Sequence, residues 1–320
     1  MGSTVQELFL AGLAPSTQRV YRSGSKRFLD FCTRFKLAPF PATEWVLSFF
    51  VALLYREGLS GGTVKSYLSA VRHMHISMGL GDPHISSMPQ LEYVVKGMKK
   101  KTAGRAARVR RPITPQILRQ MKQVWQLLPD RHNSAMLWAA VCMCFFGFLR
   151  SGEVVVPSDS DYDSSTHLSF GDVRVDSVDF PQYVEVRIKA SKTDPFRQGV
   201  SVFLGWKDAD LCPVGAVLDY MVRRGSGQGP FFLFSDGRFL SRERFVASVR
   251  SALQAAGVEA SDYAGHSFRI GAATTAALCG VQDSLIKTLG RWESSAYMLY
   301  IRTPREALCA VSRSLVRDVV

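Results

Sequence analysis

His266-Ser267-Phe268-Arg269, then Gly290-Arg291-Trp292, then Tyr300-Ile301-Arg302: these pieces follow one another within a short run of helical sequence. They offer a general acid/base, cations and a phenol. Gly265 and Ser267 mark a helix start. His266 and Arg269, one turn apart, then project from the first turn, where the positive helix end suits an anion. A free phenol titrates near pH ~10, so a tyrosine nucleophile needs neighbouring cations. Tyr300 is the candidate. Tyr297, one turn earlier, is a second phenol that competes with it.

Upstream lie two further pieces. Phe148-Leu149-Arg150-Ser151-Gly152-Glu153 places an arginine at the end of a very apolar helix. Glu153, three residues on, shares its helical face and can orient it. Arginine has the planar fork that grips two oxygens and stays charged. Ser191-Lys192-Thr193 sits in a tight hairpin, Ala190 to Pro195, where a lysine can protonate a departing 5′ oxygen. Trp292 offers an indole N–H to a phosphate. Together Arg150, Glu153, Lys192, His266, Arg269, Trp292 and Tyr300 form a set suited to phosphoryl transfer, where fixed cations stabilise the equatorial oxygens. The set calls for no metal and no cofactor.

The charge of the chain points the same way. Of 320 residues, 40 are Lys or Arg and 27 are Asp or Glu. Residues 1–111 hold 17 of the basic residues and only 6 of the acidic ones. A net of +11 there draws a polyanion through phosphate contact and counterion release. Lys65, Arg72, Lys99, Lys100, Lys101, Arg105, Arg108, Arg110, Arg111 and Arg291 are the expected contacts with double-stranded DNA. The run Lys96 to Arg111 also reads as a nuclear import signal. The longest apolar run, Trp138 to Leu149, is too short to span a membrane, and the first residues lack the features of a signal peptide. The six cysteines contain no CxxC pair and sit mostly in apolar helical sequence, which suits a reducing compartment. Asp159 to Asp163 alternates like a calcium loop. It lacks the glycine at the sixth position and has Phe170 at the twelfth, which excludes that reading.

The pattern along the chain is mainly α with one small antiparallel β-sheet. Helices are expected from Ser16 to Lys36, Glu44 to Arg56 with Thr43 as cap, from Thr63 onward, and from Pro89 to Met98. Residues 1–100 form a helical domain, 101–112 a basic linker and 113–320 a second domain. In the latter, helices are expected at 115–127, 131–149, 213–224, 241–256, 267–279, 281–289 and 293–301. Strands are expected from Leu168 to Val175, Tyr183 to Lys189 and Gly199 to Phe203.

Taken in this order, the pieces resemble the tyrosine recombinases, or phage-integrase family. The resemblance covers most of the chain: 8–100 look like the helical core-binding domain, 113–320 like the catalytic domain. It implies that Arg150, Lys192, His266, Arg269 and Tyr300 are the catalytic side chains, with Glu153 in support. The sixth position falls on Trp292 or on Arg291, Trp292 being the preferred occupant. It implies a 3′-phosphotyrosyl intermediate, no ATP or metal, and a synapse of four protomers on paired DNA sites. The free protein would be a monomer or dimer, its two domains closing on DNA. Leu308, Val311, Leu315 and Val319 form an amphipathic tail that docks on a neighbour or on its own domain. The form Gly-Arg-Trp with Tyr-Ile-Arg looks like enzymes of eukaryotic mobile elements of crypton or DIRS type, which suggests the nucleus. Two alternatives stay open: a type IB topoisomerase, which shares the chemistry, and a domesticated protein that only binds DNA.

Overall fold

Capping residues and apolar stripes set the helices. In the computed structural model, residues 2–103, 110–191, 194, 196–208, 210–303 and 309 are described. The chain divides into two units, Met1–Ala107 and Arg108–Val320.

The first unit is all helical: α1 (Gly2–Ala11), α2 (Pro15–Phe35), α3 (Glu44–Arg56), α4 (Gly61–Ser77) and α5 (Pro89–Thr102). Thr43 caps α3 by accepting from the Val46 N–H, and Ser60 caps α4 by accepting from Thr63. Helix α4 therefore begins two residues before the expected Thr63. Helix α1 was not expected at all. Helix α5 runs four residues past Met98 and carries Lys99, Lys100 and Lys101 in its last turn, where cations suit the helix dipole. The core is Phe28, Phe31, Leu47, Phe50, Leu54, Val64, Val71 and Leu91 with their neighbours. Phe35, one turn beyond the buried Phe31, is 48% exposed.

The second unit is built around α7 (Arg131–Phe146), whose residues Ser134 to Phe145 are all buried. A helix apolar on every side belongs at the centre of a domain. Helix α6 (Pro115–Gln126) precedes it and the single turn α8 (Ser151–Val154) follows. Strands β1 (Val173–Val175), β2 (Tyr183–Ile188) and β3 (Val200–Gly205) form an antiparallel sheet in that order. Val184, Val186 and Ile188 of β2 alternate inward onto the core, the period-2 signature of a sheet with one covered face. Then come α9 (Pro213–Arg224), α10 (Arg242–Ala255), α11 (His266–Leu278), α12 (Asp283–Leu289) and a 3₁₀ segment, Ser295–Tyr300. The fold class is thus mainly α with one small sheet, as the sequence indicated.

One expected boundary fails in an informative way. Helix α7 does not reach Leu149. Gly147 follows its last turn, Phe148 adopts φ 50°, and the Leu149 N–H bonds the Cys144 carbonyl at 3.1 Å. This is a Schellman closure, with phenylalanine where glycine is usual. Arg150 consequently starts α8 instead of ending α7.

Candidate active site

Arg269 is fully buried and organises the site. It lies one turn into α11, between the ends of two other helices. Its Nη1 donates to the Phe148 carbonyl at 2.8 Å, and its Nη2 donates to the Gly290 carbonyl. These carbonyls stand just beyond the C-termini of α7 and α12, where a cation meets the negative end of each helix. The end of α12 repeats the closure seen at α7. Arg291 adopts φ 52°, and the Trp292 N–H bonds the Lys287 carbonyl at 3.0 Å. The chain leaving the first cap carries Arg150; the second cap carries Arg291 and Trp292. One guanidinium therefore fixes both segments.

Trp292 covers this guanidinium. The Arg269 Cζ lies 4.2 Å from the indole centroid and 5.8 Å from the centroid of the Tyr300 ring. The two rings are 5.1 Å apart. Such cation–π contact suits a desolvated cation. Gly290 makes room for it, since a Cβ there would fall 1.6 Å from the indole. Burial lowers the Arg269 pKa to about 10; Arg150 and Arg291 push it down, while Glu153 and Tyr300 pull it up.

Glu153 joins the other two arginines. Its Oε1 accepts from Arg150 Nη1 at 2.8 Å, and its Oε2 accepts from the Arg150 backbone N–H at 2.8 Å and from Arg291 Nη2 at 2.7 Å. The Glu153 side chain is 4% exposed. Two guanidinium groups thus share one carboxylate, with Arg269 close enough to feel its charge, and the excess positive charge is what an anion would neutralise.

The two phenols differ. The Tyr297 hydroxyl donates to Asp283 Oδ2 at 3.0 Å. Loss of water, that bond and the Asp283 charge raise its pKa, which keeps it protonated. Tyr300 is half-buried, with its ring against Trp292. Its backbone is held by Thr274, whose hydroxyl donates to the Tyr300 carbonyl at 3.2 Å and accepts from the Arg302 N–H at 3.0 Å.

Contacts therefore link Arg150, Glu153, Arg269, Arg291, Trp292 and Tyr300. His266 is exposed and opens α11, one turn before Arg269. Lys192 lies outside the described residues, but its neighbours Ser191 and Asp194 line a cleft of about 600 Å³ with Lys287, Arg291 and Trp292. The sequence reading missed Thr274 and the carbonyls of Phe148 and Gly290. A threonine on a helix and two backbone oxygens carry no motif.

The expected DNA contacts vary. Lys65, Lys99, Lys100 and Lys101 are exposed. Arg72 is exposed but its Nε donates to both Asp82 oxygens, at 3.1 and 2.9 Å. Arg110 donates to the Ser261 carbonyl, and Arg111 pairs with Asp262 at 3.1 Å. Arg291 is mostly buried, at 14% exposure. Arg105, Arg108 and the amphipathic tail positions 308, 311, 315 and 319 lie outside the described residues. Among the described residues no helix is long and apolar enough to cross a membrane.

No protein-family model and no curated protein matches the sequence. Solved structures do. A lambda integrase (75–356) dimer bound to a COC′ core site is 15% identical, with a TM-score of 0.61, covering 94% of this chain and 93% of that one. The XerH site-specific recombinase bound to difH substrate, a pre-cleavage complex, is 13% identical, with a TM-score of 0.59 and coverage of 92% and 78%. The Tn1549 transposon integrase (82–397) with circular intermediate DNA is 12% identical, with a TM-score of 0.56 and coverage of 96% and 98%. The fold is that of tyrosine recombinases.

Proposed function

We propose that this chain is a site-specific DNA recombinase that cuts and rejoins strands through Tyr300. The reading rests above all on Arg269, a sealed guanidinium strung between two helix ends with the rings of Trp292 and Tyr300 against it. A charge this costly to bury, with Arg150 and Arg291 near enough to push its pKa down further, suits a site for an anion more than a structural strut.

In the first step the Tyr300 oxygen attacks a DNA phosphorus, and the bond to the 5′ oxygen breaks. Arg150 and Arg269 hold the non-bridging oxygens as charge builds. His266 serves as acid and base for the phenol proton, Lys192 protonates the leaving 5′ oxygen, and Trp292 shapes the site. The product is a 3′-phosphotyrosyl bond. A 5′ hydroxyl from a second duplex then reverses the step, so bond energy is conserved. The conjunction of Gly-Arg-Trp with Tyr-Ile-Arg supports a role in moving a eukaryotic mobile element, with four protomers on paired sites in the nucleus. The similar structures hold DNA: a COC′ core site, a difH substrate and a circular intermediate.

A nicked suicide duplex tests the chemistry. Wild-type protein is expected to form a denaturation-resistant DNA adduct, and Tyr300→Phe to bind DNA without forming one. An adduct that survives in Tyr300→Phe and vanishes in Tyr297→Phe would transfer the nucleophile role. Absence of any adduct in wild type, with DNA bound, would favour a binding-only protein. Relaxation of a plasmid without two-site exchange would favour a topoisomerase.

A further inference from the structure

Arg291 is costly to hold where it stands. Its backbone is left-handed, at φ 52°, where a side chain is strained. Its Nε and Nη1 are buried with no hydrogen-bond partner, and burial lowers its pKa, against the pull of Glu153. Its Nη2 is spent on Glu153 at 2.7 Å. Two of its nitrogens are thereby buried and the third is turned to Glu153, although the side chain also lines the cleft beside Trp292. That argues against the phosphate-contact role expected for Arg291 from the sequence.

Resting on the recombinase reading, we propose that Arg291 is a positioning residue: it shares Glu153 with Arg150 and so keeps the Arg150 charge available to the phosphate. Glu153 is needed to aim Arg150, since it grips both its Nη1 and its backbone N–H. A carboxylate that close also cancels the charge it aims. Arg291, on Oε2, draws part of the carboxylate's charge to itself. Without it, the buried Glu153 has Arg150 as its remaining guanidinium partner, and the phosphate meets a neutralised pair.

This predicts an effect with a definite sign. In Arg291→Met, which keeps an L side chain at the same φ, adduct formation on the suicide duplex should slow about 10²-fold, the range for one lost preorganised charge. Affinity for intact DNA should stay within about twofold, since no phosphate contact is lost. Arg291→Lys should recover most of the rate, because an ammonium can still reach Glu153. The deciding comparison is the double variant Glu153→Gln with Arg291→Met. Removing the unshared carboxylate charge should make it faster than Arg291→Met alone. The same Glu153→Gln change in the wild-type background should slow cleavage. A double variant no faster than Arg291→Met overturns the proposal, as does Arg291→Met losing affinity while cleaving bound DNA at the normal rate. A wild type that forms no adduct defeats the recombinase reading itself, a separate result from either of these.

Discussion

Arg269 separates structural from chemical need. Arg269→Met removes a desolvated charge and replaces it with an apolar chain of similar length, an exchange that buried ion sites tolerate. It also leaves the Phe148 and Gly290 carbonyls short of a donor. The net destabilisation is expected to be about 2 kcal/mol, read by urea denaturation. The loss of adduct formation should be about 10³-fold or more. A variant that loses stability heavily, and activity only in proportion, would make Arg269 a strut. At this level the sequence was informative where a residue type carries the chemistry. Arg150, Glu153, Arg269, Trp292 and Tyr300 came together because each could be named from its side chain. The choice between Trp292 and Arg291 was not legible. It turns on a left-handed φ and on which way a guanidinium folds, and neither leaves a mark in the order of letters.

Helix packing sets how tightly these groups are held. Helix α11 runs close against the backbone at Ile113: the Ile113 N–H bonds the Ser267 carbonyl at 2.9 Å, and a Cβ on Gly271 would lie 1.8 Å from the Ile113 carbonyl oxygen. Backbone cannot yield as a side-chain tip can. Gly271→Ala should therefore lower stability by about 1–3 kcal/mol and slow cleavage, by moving the helix that carries His266 and Arg269. Equal urea midpoints for the variant and wild type would show that α11 has slack there. Caps explain why many helix limits were readable, since Thr43, Thr114 and Ser241 each accept from a backbone N–H of the first turn. The end of α7 was misjudged because apolar residues continue through Phe148 and Leu149, while the turn lies in a φ that apolarity does not encode. Helix α1 was missed for the related reason that Gly2–Ala11 is read as a short run without a recognisable cap.

In the first unit, acid should reveal the ion pair between Arg72 and Asp82. The Asp82 carboxyl is held at about 2 by its hydrogen bonds from Arg72 and from the His84 N–H. An unfolded aspartate titrates near ~3.9. The folded value is the lower one, so the stabilisation is complete above about pH 4 and is lost as pH falls towards 2. Wild type should thus have a higher denaturation midpoint than Asp82→Asn at pH 5, and the two should converge near pH 2. Trp45 fluorescence follows the unit, because the other tryptophans lie at positions 125, 138, 206 and 292. A gap that persists at pH 2 would mean that Asp82 acts through its shape instead of its charge.

Over the whole molecule the division of charge is the feature read most directly from composition, since counting needs no conformation. It predicts that residues 1–111 carry the polyanion affinity, and the structure adds which cations are uncommitted enough to use. Arg72, Arg110 and Arg111 are each engaged by a partner. Lys99, Lys100 and Lys101 project from the last turn of α5 and are exposed. Each phosphate contact releases counterions and contributes about 0.9 to the slope of log K against log salt. Replacing all three lysines by glutamine should therefore flatten that slope by about 2 to 3, weakening binding alike on every DNA sequence. Once the duplex is saturated, the rate of adduct formation should match wild type, because no residue of the site has changed. An unaltered slope would place the DNA elsewhere on the molecule. A slope that flattens together with a slower step on saturated DNA would tie these lysines to alignment of the phosphate as well as to its capture.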